Sequence, residues 1–73
     1  MGNVARVTEI SARSKKSFDD AVRVGMQRAT KTLRNVEGAW VKEQKIKVRN
    51  GEIDSFQVDM LVTFVLEDDD AIG

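Results

Sequence analysis

From Phe56 to Leu66 the chain alternates without a break, with Phe56, Val58, Met60, Val62, Phe64 and Leu66 at every second position. Neighbouring side chains of a strand point to opposite faces, so this period of two specifies a strand with one wholly apolar face that has to be covered. The other parity reads Ser55, Gln57, Asp59, Leu61, Thr63 and Val65, polar first and then apolar. Only 73 residues are available to do the covering. A chain of that length makes one domain with a small core, read here as a single unit over 1–73 that ends in an acidic tail at 68–73.

A helix supplies the cover. Ser17 is an N-cap residue, and Asp20 three positions on can answer the Ser17 amide in the manner of a capping box. Phe18, Val22, Gly25, Met26, Ala29 and Leu33 then recur at spacings of three and four, which puts them on one face. Asp19, Arg23, Gln27, Lys31 and Arg34 occupy the other face, with acids in the first turn and bases in the last, as the helix dipole favours. Asn35 is a left-handed stop. Strands are expected at Val4 to Ile10, ended by "SARSKKS", at Ala39 to Arg49, and at Ile53 to Glu67, with Asn50-Gly51 as the hairpin turn between the last two.

The element order is therefore strand, helix, strand, strand. A strand of about 15 residues runs ~50 Å, more than a helix of about 18 residues covers. Leu61 and Val65 are left exposed on the far face unless a second copy meets them. In the middle strand Ala39 and Val41 are apolar on one parity and Ile46 and Val48 on the other, which calls for a bulge or strong twist between Lys42 and Lys45. The sequence has no Cys and no His, so neither disulfides nor zinc can reinforce the small core, and self-association is the remaining aid.

Composition narrows the function. Without His, Cys or Tyr the chain lacks the groups that most readily move protons or attack carbonyls near neutral pH. Ser11, Ser14, Ser17 and Ser55 have no evident base beside them, and the reading is that of a non-enzyme. Twelve basic and twelve acidic residues cancel, which argues against a nucleic-acid partner held by net charge. The opening residues carry no apolar signal run, and Arg6 stands where a myristoylation site needs a small hydroxyl residue, so a cytoplasmic protein with no membrane partner is expected. Glu67 to Asp70 lack the spaced oxygens of a calcium loop, and no metal site is assigned.

The segments "SFDDAV", "ATKTLRNV", "VKEQ", "NGEIDSFQVDM" and "VTFVLED", in this order and spacing over Val4 to Asp68, resemble the dodecin family. The resemblance implies an α+β subunit of β-α-β-β order, its three-stranded antiparallel sheet wrapped around one helix, assembled through trimer and other self contacts into a hollow homododecamer. It further implies a protein that stores, buffers or quenches flavin (FMN or riboflavin) held between subunits, with coenzyme A as a further possible ligand. Gln57 matches a family glutamine that hydrogen-bonds the polar edge of the flavin. The family's stacking tryptophan aligns with Gly38, while Trp40 stands two residues later, on the same face of a strand. Glu43 aligns with an acid that binds the ribityl chain, and Lys47 stands where a second acid is expected, a change that favours a phosphate.

Each candidate also has a plain structural reading. Trp40 is either a stacking platform or an anchor at a subunit contact. Gln57 offers both a donor and an acceptor, as does any solvated glutamine. Lys45 and Lys47, with Lys42 and Arg49, either grip phosphate or guard a strand edge. Arg13, Lys15 and Lys16 precede the helix N-terminus, where anions are favoured. Gly38 in place of tryptophan suits a structural shell or carrier without flavin affinity.

Overall fold

A computed structural model describes residues 3–66. Asn50 and Gly51 both take left-handed backbone, φ 54° and 78°, and so close the hairpin between β2 (Val36–Arg49) and β3 (Glu52–Val65). That pair of positive φ angles is what a two-residue turn needs to match the twist of its strands. β1 (Ala5–Ser14) pairs antiparallel with the other edge of β3, giving the order β1-β3-β2. The long alternating strand is thus the central one, hydrogen-bonded on both sides.

β1 continues four residues beyond the expected end at Ile10. Ser11, Ala12, Arg13 and Ser14 carry little strand propensity, yet they pair with Asp59, Val58, Gln57 and Phe56. Tertiary pairing outweighs local preference here. β2 likewise starts at Val36 rather than Ala39.

α1 (Phe18–Thr32) opens as expected, with Ser17 Oγ accepting from the Asp20 amide at 2.9 Å. The reciprocal half of the capping box does not form as expected. The Asp20 carboxylate accepts instead from Ser14 Oγ at 2.6 Å, tying the helix start to the end of β1. Leu33 is the C-cap, its amide donating to Ala29 O at 2.9 Å, and Asn35 makes the left-handed exit at φ 61°.

The helix line that meets the sheet is Ala21, Gly25 and Ala29, all buried, while Phe18, Val22 and Met26 flank it half-buried. Small residues at the line of contact let the helix sit close over Ala12, Val58 and Met60. A Cβ on Gly25 would lie 2.6 Å from Met60 Cε and 2.9 Å from the Ala12 Cβ. The N-terminal end of the packing is closed by Phe18 and Phe56, edge to face at 5.1 Å.

The helix lies over β1 and β3 and barely reaches β2. Val58, Met60 and Val62 are sealed, but Val41 and Ile46, on the helix-side face of β2, are 40% and 48% exposed. Leu61 and Val65, by contrast, are half-buried rather than exposed. Leu61 is flanked in register by Glu9 and Trp40, and Val65 by Ala5. The uncovered apolar surface therefore lies mainly on β2, not on the far face of β3. The molecule is 57 × 19 × 13 Å with a radius of gyration of 15.5 Å, against about 11 Å for a compact chain of this length.

Replacing Gly25 by valine should cost ~1–3 kcal/mol of stability, because the added atoms overpack the helix–sheet contact. Thermal or denaturant unfolding of the variant checks this, and an unchanged midpoint would contradict it.

Candidate functional site

Register shifts decide which side chains share a face. Directly opposite residues of an antiparallel pair point the same way, so Gln57 shares its face with Arg13 on β1 and Lys45 on β2. Asp59 sits between Ser11 and Glu43, and Ser55 opposite Lys47. Toward the other end Trp40 is opposite Leu61 and Gly38 opposite Thr63. Trp40 and Glu43 are three residues apart and belong to opposite faces of an unbroken strand. A register shift between Val41 and Glu43 corrects this, inserting Lys42 as an extra residue in the bulge expected there. Gly38, two residues before Trp40 in unbroken register, lies on the same side by simple alternation.

The bulge thus gathers every candidate residue, Trp40, Gly38, Glu43, Lys45, Lys47 and Gln57, onto the face opposite the helix. It does not bring them all into one contact. Trp40 and Gln57 are separated by the β3 span from Leu61 to Gln57, roughly 13 Å at the usual rise per residue. Trp40 is 52% exposed, and a Cβ built on Gly38 would meet nothing within 4 Å. Space beside Gly38 is therefore open.

Between them lies a polar cluster centred on Asp59. This carboxylate is only 7% exposed although no element covers it, because β3 is central and its neighbours' side chains close over it. Ser11 Oγ donates to Oδ1 at 2.7 Å and Gln57 Nε2 donates to the same oxygen at 3.0 Å. Lys45 Nζ stands 3.9 Å from Oδ2. On its other side the Gln57 carbonyl accepts from Arg13 Nε at 3.3 Å. Lys42 reaches across β3 to Glu9 at 3.4 Å, an exposed pair of little energetic weight.

Sequence reasoning assigned Asp59 no role and Ser11 and Ser14 no neighbouring base, yet strand pairing and the helix start set a carboxylate against each hydroxyl, Asp59 against Ser11 and Asp20 against Ser14. It also placed Arg13 with an anion-binding helix start. Arg13 belongs instead to β1 and engages Gln57. The available signal was the polar run Ser55, Gln57, Asp59 within an otherwise apolar strand. Of the two phosphate candidates, Lys45 is partly neutralised by Asp59, whereas Lys47 is exposed and has no ion pair among the described residues. The cluster Glu67 to Asp70 lies outside the described residues, and within them no group of three or more potential ligands could hold a metal ion.

The hydrogen bonds from Ser11 and Gln57, aided by Lys45 and Lys42, hold the Asp59 pKa below its ordinary value of 3.8 against the opposing effect of burial. A depressed carboxylate pKa stabilises the fold above the unfolded-state value, and that contribution is lost as pH falls through the folded-state value. The stability advantage of the natural chain over Asp59→Asn should be full at neutral pH and shrink below pH 3.8. Melting temperatures of both proteins across an acid series check this, and an advantage that grows toward acid would contradict it.

A groove of about 530 Å³ runs between β1 and α1 past Ile10, Ala12, Val24, Gly25 and Arg28. Ser11 and Arg13 also border it, at the outer edge of the polar cluster, but Gln57 and Asp59 do not. The face carrying Gln57 and Trp40 is open, with the form of half a pocket rather than a cavity.

An α+β chain of β-α-β-β order, with a single helix on one side of a three-stranded antiparallel sheet and an open polar face on the other, defines the class. The Dodecin family profile matches residues 4–67, and the chain belongs to the dodecin family, whose members form homododecamers. Its structure is similar to the dodecin of Streptomyces davaonensis, with a TM-score of 0.88 and 35% identity over 93% of this chain and 100% of that one. It also resembles the dodecin of Streptomyces coelicolor, with a TM-score of 0.86 and 32% identity over 90% and 94%. A third similar structure is the calcium dodecin of Mycobacterium tuberculosis, described as calcium-chelating, with a TM-score of 0.77 and 27% identity over 90% and 94%. No curated protein matches the sequence significantly. No helix among the described residues is long and apolar enough to cross a membrane.

Proposed function

We propose that the protein is a flavin-binding subunit of a hollow homododecamer that stores, buffers and quenches flavin without turning it over. The observation that carries this reading is that Trp40 and Gln57 share one open face at a separation too large for both to grip one ring from a single chain. A pocket formed between copies resolves this, with Trp40 of one subunit stacking on the isoalloxazine and Gln57 of another meeting its polar edge. Gly38 leaves room for the ring to enter beside Trp40, and Glu43 meets the ribityl hydroxyls. Lys47, exposed on this face and without an ion pair among the described residues, is suited to a terminal phosphate by a charge-assisted hydrogen bond. FMN is therefore preferred to riboflavin, and coenzyme A is the alternative phosphate ligand.

Fluorescence titration tests the proposal. Flavin emission should be quenched saturably on binding, and Trp40→Ala should weaken binding by ~1–3 kcal/mol, the range seen for stacking on aromatics. Lys47→Glu should abolish the preference for FMN over riboflavin, and raised salt should reduce it. Absence of saturable quenching at micromolar protein would overturn flavin binding and leave a structural shell. Saturable coenzyme A binding in its place would assign the face to phosphate ligands.

A further inference from the structure

Gln57 is held by two partners of opposite and unchangeable hydrogen-bonding sense. An ionised carboxylate only accepts and a guanidinium only donates, so Asp59 can face only the amide nitrogen and Arg13 only the amide oxygen. The distances agree, with Nε2 to Asp59 Oδ1 at 3.0 Å and Arg13 Nε to Oε1 at 3.3 Å. Flipping the amide sets N–H against guanidinium and oxygen against carboxylate, two repulsive contacts in place of two attractive ones. Asp59 is itself fixed, because Ser11 Oγ donates to the same Oδ1 at 2.7 Å and Lys45 faces Oδ2 at 3.9 Å. An unrestrained glutamine reads a ligand edge in either sense. This one keeps a single N–H and a single carbonyl lone pair free, in a fixed order along the strand.

We propose that Asp59 and Arg13 are positioning residues that lock the Gln57 amide in one orientation, so that the site takes a ligand with an imide-like edge, carbonyl beside N–H, in one register only. The inference deepens the flavin reading and rests on it for the identity of the ligand, since the pyrimidine half of a flavin carries such an edge. The lock itself is a property of the chain and exists without ligand.

Two measurements separate the lock from the ligand. The first uses the ligand-free assembled protein with 15N-labelled glutamine side chains, Gln27, Gln44 and Gln57 being the glutamines in the sequence. The Gln57 amide protons should be shifted and slow to exchange relative to those of Gln27, which is exposed on the helix, and Asp59→Asn should move them toward the Gln27 position. A Gln57 signal that matches Gln27, or one unchanged in Asp59→Asn, would overturn the lock whatever the ligand.

The second is a double-mutant cycle on riboflavin affinity. Gln57→Ala should lower affinity about tenfold, the cost of about one good hydrogen bond. Asp59→Asn should lower it several-fold with Gln57 present and not at all in the Gln57→Ala background, because residues acting through one group are non-additive. Arg13→Met, a change at an exposed position, should show the same dependence and covers the case in which Asp59→Asn folds poorly. Equal losses with and without Gln57 would show a merely structural role and overturn the proposal. If riboflavin does not bind while the amide signals behave as expected, the lock stands and the flavin assignment falls.

Discussion

One helix of fifteen residues has to shelter a sheet whose two longest strands have fourteen residues each. At the usual rises the helix spans ~22 Å and the strands ~48 Å, so no placement covers them. The chain places α1 over β1 and the middle of β3, sealing Val58, Met60 and Val62, and leaves Val41 and Ile46 on β2 in water. Burial of apolar area is the main favourable contribution to folding, and an isolated subunit forgoes a large share of it. The homododecameric assembly of its family is a means by which such cover can be supplied.

The same constraint shapes the functional face. Because β3 is central, its second face is walled by both neighbouring strands, and polar residues there can be screened from water without an overlying layer. Asp59 takes advantage of this, ionised and surrounded by donors from Ser11, Gln57 and Lys45. The bulge at Lys42 then turns Trp40 onto the face that holds Gln57. Apolar packing on one side of the strand and a polar reading surface on the other thus follow from one alternating segment.

What was legible in the sequence was local. The period of two in β3, the Asn50-Gly51 turn, the Ser17 cap and the parity conflict that demanded a bulge each sit within a few residues, and each appears in the structure. What depends on partners far along the chain was not. The second half of β1 is small and polar and is strand only because β3 pairs with it. Gly25 and Ala29 stood in the expected helix stripe and are buried at the contact line, whereas Ala21, small and one turn before Gly25, completes that line without having been picked out. Leu61 and Val65 were expected to be exposed unless a second copy met them, but neighbouring strands half-bury them, and because the helix leans away from β2 it is Val41 and Ile46 that stand exposed. At the candidate site, Gln57 and Trp40 were legible as residue types. The cluster of Asp59, Ser11 and Arg13 behind them needed the strand register to become visible.

A subunit with this much of β2 uncovered is expected to be unstable alone and to need other copies against that face. Sedimentation velocity over a dilution series into the nanomolar range, with circular dichroism on the same samples, tests this most directly. The account predicts a single species with the mass of a dodecamer of the 8.2 kDa chain, and loss of structure whenever that species dissociates. A folded monomer of 8.2 kDa that melts cooperatively at the same temperature as the concentrated protein would contradict it.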